Sequence, residues 1–301
     1  MYCKLNDFLK EKFGCKVYKL ALSGGMTCPN RDGTLSDNGC IFCGEDGSGF
    51  FAESGSSITA QIENAKLKIK SKIKNGKYIA YFQSFTNTYA PVYRLEKIFG
   101  EAISHPDIAA LSVATRPDCL PEEVLCLLER LNKIKPVFVE LGLQTIHEST
   151  AEYIRRGYSL PVFDAAVSAL KQIGIINVVV HMIIGLPGES RQMITETAEY
   201  IGKSGADGIK LQLLHVLEGT DLAKDYRQNK FECLTLEEYI DILKECIKVL
   251  PKNMVIHRLT GDGAKAKLIA PVWSADKKHV LNEINAAFEK DGVVQGSLFK
   301  I

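Results

Sequence analysis

The chain has 301 residues, 46% of them hydrophobic and 24% charged, with a net charge of +1. That length allows one large α/β domain or two small ones with a sizeable core, and the near-neutral balance excludes a polycation that holds nucleic acid by bulk charge. Nine cysteines, with Lys4, Asp7, Lys10, Glu11 and Lys12 where a secretory signal would need an apolar core, place the expected home in a reducing cytoplasm, and no apolar run approaches the ~20 residues of a membrane span.

Residues Tyr2 to Phe13 read as a short amphipathic helix with Leu5, Phe8 and Leu9 on one side. Lys16 to Leu22 alternates as a strand and runs through Ser23-Gly24-Gly25 into the loop CPNRDGTLSDNGCIFC. This loop places Cys28, Cys40 and Cys43 with eleven and then two residues between them. A C-x-x-C pair turns two thiolates toward one centre, and the Gly, Asn, Asp and Ser before it suit a chain that wraps a metal. Three thiolates fit either a zinc site completed by Cys15 or a distant His, or a four-iron cluster held at three corners with one iron left open. Past Cys43, the run containing Gly44, Gly47, Ser48, Gly49, Gly55, Ser56 and Ser57 is expected to fold over a ligand.

From there helices and strands alternate. Helices are expected at 58–74, 95–104, 121–132, 148–156, 161–173, 191–202, 236–250 and 278–290. Strands are expected at 78–83, 108–115, 137–143, 176–184 and 208–215. With the first strand this makes six, which implies right-handed β-α units on a parallel sheet. The expected organisation is a helical extension at 1–15, a barrel over 16–260 and an extension at 261–301 that closes or flanks it.

In such barrels the site lies at the carboxyl ends of the strands. Those ends carry Gln83-Ser84-Phe85-Thr86-Asn87-Thr88-Tyr89, Ala114-Thr115-Arg116-Pro117-Asp118, Glu140-Leu-Gly-Leu-Gln144-Thr145, Gly185-Leu-Pro187-Gly188-Glu189, and Gln212 with His215. Arg155-Arg156-Gly157-Tyr158 follows the fourth strand. Glu140, Gly142 and Gln144 share one face of their strand, where buried polar groups demand a ligand or a partner.

Together with the cysteine loop, the E-L-G-L-Q, R-G-Y and G-L-P-G-E segments resemble the radical S-adenosylmethionine (SAM) enzymes, in particular the branch related to the radical domain of the elongator catalytic subunit. That resemblance covers about residues 15 to 260 and implies an open partial (β/α)6 barrel. It also implies a [4Fe-4S] cluster on Cys28, Cys40 and Cys43 whose open iron chelates SAM, giving a 5′-deoxyadenosyl radical that abstracts hydrogen from substrate. The SAM site would be shaped by Gln83, Ser84, Thr86, Asn87, Thr88, Glu140, Gln144, Arg156, Ile184 and Gly185. In that site Arg156 would meet the SAM carboxylate, and backbone near Ile184 the adenine edge. Where many members have a glycine-rich turn, this chain has the polar side chains from Gln83 to Thr88.

Gln212, His215 and Arg258 are the candidate substrate contacts, and no residue is assigned as catalytic acid or radical donor. The branch suggests tRNA wobble uridine as substrate and a reductant such as flavodoxin or ferredoxin. Two basic zones are available to RNA phosphates: Lys66, Lys68, Lys70, Lys72, Lys74 and Lys77 beside Glu63, and Lys252, Arg258, Lys265, Lys267, Lys277 and Lys278 beside Asp262 and Asp276. The alternatives are radical chemistry on a small metabolite, as in the coproporphyrinogen oxidase relatives, or a non-catalytic zinc- or RNA-binding module. Cys3, Cys15, Cys119, Cys126, Cys233 and Cys246 form no second C-x-x-C, so no auxiliary cluster is expected and these read as small apolar residues. The chain leaves no room for the acetyltransferase domain of the elongator subunit.

Overall fold

The computed structural model describes every residue except 46, 48–51, 56, 74–75, 262 and 301, together with all side chains of the described residues but that of Lys72. Ser48, Gly49 and Ser56 of the glycine-serine run, Lys74 and the side chain of Lys72 from the first basic zone, and Asp262 lie outside the described residues.

The strands β1 (Lys16–Leu22), β2 (Gly76–Phe82), β3 (Ile108–Thr115), β4 (Val137–Gln144), β5 (Val178–Ile184) and β6 (Gly208–Leu213) line up in sequence order and pair in parallel. Between them run the helices α2 (Ile58–Ile69), α3 (Val92–Ser104), α4 (Glu122–Ile134), α5 (Glu148–Tyr153), α6 (Leu160–Gln172) and α7 (Arg191–Lys203). The sheet curls into an open half-barrel, the architecture expected from the sequence, but it has seven strands rather than six. The seventh, Val255–Arg258, joins β6 in parallel. Its four residues divide between buried Val255 and Ile256 and half-buried His257 and Arg258, so the segment carries no apolar run long enough to announce a strand. Two further short strands, β7 (Val216–Leu217) and β9 (Leu268–Ala270), pair antiparallel with each other, and the seventh barrel strand is β8 in chain order. The segment after β7 also forms a helix, α8 (Asp221–Arg227), where the sequence pattern predicted none.

Strand alternation gives the two faces separate fates. Leu20, Phe82, Leu111, Val113, Val139, Leu141, Val180 and Met182 face outward into the main core beneath the helices. There they meet Phe99, Leu127, Phe163 and Ile201, supplied by the apolar stripes of α3, α4, α6 and α7. Residues of the other parity point into the barrel. At its amino-terminal end Val17, Ile79, Ala110, Phe138 and Val179 pack together and are plugged by Leu9 of α1 (Leu5–Phe13), with Leu5 and Phe8 around it.

The C-terminal residues flank β8. α9 (Leu236–Val249) starts with a capping box between Thr235 and Glu238, and α10 (Lys277–Lys290) supplies Val280, Ile284 and Phe288 to the same core. Gln295 ties the chain ends together: its Nε2 donates to Pro251 O (2.6 Å) and Met254 O (2.8 Å), and its Oε1 accepts from Cys3 N (2.8 Å). The backbone N–H of Ile256 in β8 donates to Cys3 O at 2.8 Å. Among the described residues no helix is long and apolar enough to cross a membrane.

Candidate cluster and substrate site

The loop after β1 is held from several sides before any metal is considered. Ile41, between the second and third cysteines, is buried in a small core with Ile154, Leu186, Leu214, Val216 and Leu222. Its backbone N–H donates to Ile154 O (3.2 Å) and its carbonyl accepts from Leu222 N (3.0 Å). Asn30 is only 2% exposed and donates to Arg155 O at 2.7 Å. The Arg31 guanidinium donates to the carbonyls of Cys43 (2.6 Å) and Gly44 (2.7 Å), fixing the C-x-x-C turn from outside. Gly39 takes φ 69°, and a Cβ there would come 2.9 Å from Arg31, so the turn needs glycine.

Cys28, Cys40 and Cys43 line one cavity of about 140 Å3 together with Thr86, Arg116 and Gln144. Burial pushes the Cys40 thiol up to about 12, with Cys43 adding to the effect; Cys43 is raised as well, by burial, against the pull of Arg31. Such thiols stay protonated at neutral pH until a metal displaces the proton. Among the described residues the trio of possible ligands with donor atoms all within 4.8 Å is Glu63, His105 and Asp107, and Lys66 already places an ammonium 2.8 Å from Glu63 and 2.5 Å from Asp107. Cys28, Cys40 and Cys43 are not such a trio, so at least one pair of their sulfurs lies more than 4.8 Å apart, farther than two ~2.3 Å bonds to one zinc can reach. That spacing suits a multi-iron cluster better than a single zinc.

Around this loop the backbone is strained. Ser84, Phe85, Gln144 and Arg155 all take positive φ, at 74°, 60°, 71° and 59°, a cost that proteins maintain mainly at functional sites. At the end of β4 the register slips between Gly142 and Gln144, and a Cβ on Gly142 would lie 2.9 Å from Gln144 Nε2. Gln83 Nε2 and Gln144 Oε1 are buried with no partner among the described residues, and both side chains border the space beside Cys43. Orphaned amide groups next to the cysteines fit a polar ligand such as SAM.

The other expected SAM residues are placed as follows. Thr86 N donates to Thr27 O (3.1 Å), Asn87 Nδ2 to Ala114 O (2.9 Å), and Thr88 Oγ1 bonds Thr115 Oγ1 (2.6 Å) and Cys119 O (2.5 Å). This polar turn thus fastens β2 to the cysteine loop and to β3. Arg156, 2% exposed, gives its guanidinium to Thr145 O (2.6 Å), Tyr158 O (2.9 Å) and Glu148 (3.1 Å). The carbonyl of buried Ile184 accepts from Leu214 N (2.9 Å), and Gly185, at φ 90°, sits against Leu234.

Glu140 stands one layer deeper, with 0% exposure. Its Oε1 accepts from Lys19 and from Ser112 Oγ (2.7 Å), and its Oε2 from Lys210 and from His181 Nε2 (2.8 Å). Tyr81 lies between the two lysines, with each ammonium 4.7 Å from its ring centre. Burial alone would push the Glu140 carboxyl up, but Lys19, Lys210 and His181 hold it well below its usual range. Burial and then Lys210 push His181 down to about 4, so its imidazole is neutral and donates from Nε2. The carboxylate expected to meet SAM is thus saturated by protein groups. Lys19, Tyr81, Ser112 and Lys210 were missed in the sequence; the available signal is a lysine flanked by apolar residues in the interior of each of the strands K-V-Y-K-L-A-L (Lys19) and G-I-K-L-Q-L (Lys210).

Gln212, His215 and Arg258, the three candidate substrate residues, do come together. They border a cavity of about 200 Å3 with Lys210, Gln83 and Cys43. His215 is pressed against the segment after β8, where a Cβ on Gly261 would approach its ring to 2.7 Å. Of the first basic zone, Lys66 and Lys68 are engaged by Glu63, Asp107 and Glu53, while Lys70 and Lys77 are exposed. In the second zone Lys252, Lys265, Lys267 and Lys278 are exposed.

A curled parallel sheet with a three-cysteine loop at the carboxyl ends of its strands, opening on a cavity bordered by Gln83, Gln144 and Lys210, is the arrangement of an open-barrel enzyme whose chemistry sits at the strand ends. Residues 33–201 match the model of the Radical SAM superfamily and residues 206–290 that of the Radical_SAM C-terminal domain, and the chain belongs to this superfamily. It is 44% identical to YtqA of Bacillus subtilis (strain 168) over 300 residues, 99% of this chain and 93% of that one. It is 28% identical over 188 residues to a tRNA uridine(34) acetyltransferase of Methanocaldococcus jannaschii, covering 61% of this chain and 33% of the relative. Among solved structures, an archaeal Elp3 from Methanocaldococcus infernus, lacking residues 1–46 of its N-terminus, superposes with a TM-score of 0.71 at 20% identity, covering 93% of this chain and 64% of that one. The likeness to that structure is one of fold. The protein is a radical SAM enzyme, and members of its superfamily bind a [4Fe-4S] cluster and SAM.

Proposed function

We propose that Cys28, Cys40 and Cys43 hold the [4Fe-4S] cluster and that the enzyme modifies the side chain of a tRNA wobble uridine. The observation that carries the site reading is the convergence of the three cysteines on one cavity that Gln144 also lines, beside a second cavity bordered by Cys43, Gln83 and Gln144, where Gln83 Nε2 and Gln144 Oε1 lack partners among the described residues. Bound there, the cluster and SAM supply one-electron chemistry that removes hydrogen from a substrate.

The chain's own residues do the rest. Asn30 and Arg31 keep the loop in one shape, and Ile41 seals it to the small core. Gln83 and Gln144 offer amide contacts to SAM. Ser84, Thr86, Asn87, Thr88, Arg156, Ile184 and Gly185 set the wall they stand on, and Glu140 fixes the floor. Gln212, His215 and Arg258 border the space left for substrate. The catalytic unit is the barrel over 16–260, with 1–15 and 261–301 flanking it, and a flavodoxin or ferredoxin provides the electron. Support for tRNA comes from the uridine(34) acetyltransferase relative and from the exposed lysines after β8, which suit phosphate contacts.

Anaerobic reconstitution with iron and sulfide, followed by electron paramagnetic resonance with and without SAM, tests the site. The expected result is a reduced four-iron signal that shifts with SAM and is absent in Cys28→Ala; one retained zinc and no such cluster would overturn it. Binding to unfractionated tRNA, measured against salt, tests the substrate. The expected complex weakens steeply as salt rises, whereas no complex at low salt points to a small metabolite.

A further inference from the structure

The search for chemistry beyond the cysteine loop ends at the floor of the substrate cavity. Glu140 has no lone pair left over: two donors hold each oxygen. Yet this single carboxylate is shared by two lysines, so the buried layer carries more cation than anion. Lys210 is the lysine that also borders the cavity, and its side chain is 5% exposed. Its ammonium spends two of its three hydrogens, one on Glu140 Oε2 and one on Tyr81 Oη at 3.0 Å. Among the described residues no acceptor holds the third hydrogen, which is left for whatever occupies the cavity.

Resting on the substrate site proposed above, we infer that Lys210 is the proton-exchanging group of that site, giving a proton to, or taking one from, a carbonyl or amide of the bound substrate. In the forward sense an Nζ–H bond breaks, its electron pair stays on nitrogen, and the proton joins the substrate oxygen or nitrogen. In the reverse sense the Nζ lone pair takes a proton from a substrate N–H or O–H, which keeps the bonding pair. No electron is gained or lost overall.

The groups facing Lys210 come from every neighbouring strand: Lys19 on β1, Tyr81 on β2, Glu140 on β4, His181 on β5, and His257 with Arg258 on β8. Burial pushes Lys210 down to about 7; Glu140 pulls the other way, while Lys19 and Arg258 oppose the charge further. Both protonation states are therefore populated at neutral pH, the condition for efficient acid–base work.

Trace acetylation with acetic anhydride tests this directly. Anaerobically reconstituted protein is labelled at a series of values between about pH 5 and 10 together with a free lysine-containing reference peptide, and the peptide carrying Lys210 and the reference are quantified by mass spectrometry. Lys210 labelling is expected to rise about tenfold per pH unit and to level off near neutral pH, while the reference peptide keeps rising toward the ordinary lysine value of about 10.4. A Lys210 curve that follows the reference peptide, or a Lys210 that never labels, overturns the proposal. Glu140→Gln removes the one carboxylate and is expected to move the Lys210 midpoint to lower pH, and an unmoved midpoint in the folded variant also counts against it. The wild-type curve decides the matter if that variant does not fold. The cluster signal with SAM, read on the same sample, separates failure of this inference from failure of the radical SAM site.

Discussion

Two layers inside the barrel, one residue pair apart on the same strands, have opposite chemistry. The lower layer is Val17, Ile79, Ala110, Phe138 and Val179, closed off by the helix α1. The upper layer is Lys19, Tyr81, Ser112, Glu140, His181 and Lys210, joined by hydrogen bonds and ion pairs. The lower layer is an ordinary packed plug, stabilised by removal of apolar surface from water. The upper one places charge where solvation is lost, and such groups stay buried only because each has partners. The fold thus uses one half of its interior to stay closed and the other to hold a polar floor beneath the cysteines.

The largest expected effects come from neighbouring interior positions on β4. Phe138→Ala leaves a cavity in the plug and costs about 3–5 kcal/mol. Glu140→Ala strands two lysines without their acid, also about 3–5 kcal/mol. Acid separates the two. Because the folded Glu140 carboxyl is held below its ordinary value, its contribution is complete above the unfolded value of about 4.3 and is lost as pH falls through the folded one. Denaturant titrations from neutral to acid pH should therefore show the Glu140→Ala deficit shrinking and the Phe138→Ala deficit staying constant. Parallel deficits would mean that the upper layer is held by packing alone.

A smaller effect follows on β3, where Ala110 and Ser112 stand in the two layers. Ser112→Ala removes one hydrogen bond to the carboxylate and is expected to cost about 1.5–3 kcal/mol, since the acceptor is charged. Ala110→Val overfills the plug, at about 1–3 kcal/mol. Only Ser112→Ala should make the loss depend on pH, again through Glu140, and chemical denaturation at neutral and acid pH would show it.

How much of this could be read beforehand follows from the range of each interaction. The strands Lys16–Leu22 and Ile108–Thr115 were legible to the residue, because alternation and β-branching are local signals. The cysteine loop was legible for the same reason, its spacing being contiguous in the chain. β8 was not, since Val255–Arg258 becomes a strand only by adding to the edge of β6. The pairing of Glu140 with Lys19 and Lys210 was not legible either: the three lie on β4, β1 and β6, and only curling of the sheet brings them together. The cost of burying Glu140 was visible in E-L-G-L-Q, but its partners were not. Gln83 and Gln144 were singled out by position, whereas their unpartnered amide atoms became visible only in three dimensions.

The smallest effect on stability is expected where the upper layer gives way to the strained mouth. A methyl group on Gly142 would press on the end of the Gln144 side chain at 2.9 Å, and that flexible end can swing aside. Gly142→Ala should therefore cost less than about 1 kcal/mol of stability, within the range of mild substitutions. Yet the amide it displaces is one of the two left without a partner beside Cys43, so SAM affinity of the reconstituted protein should fall about tenfold, which corresponds to about 1.4 kcal/mol. Thermal unfolding of the metal-free protein and equilibrium SAM binding to the reconstituted one measure the two quantities separately. If SAM binds Gly142→Ala as well as it binds the parent protein, Gln144 is no SAM contact, and its strained backbone serves only to end β4. If affinity falls while stability holds, the orientation of one amide at the end of β4 matters to the cofactor and not to the barrel, which is the division of labour the two interior layers already display.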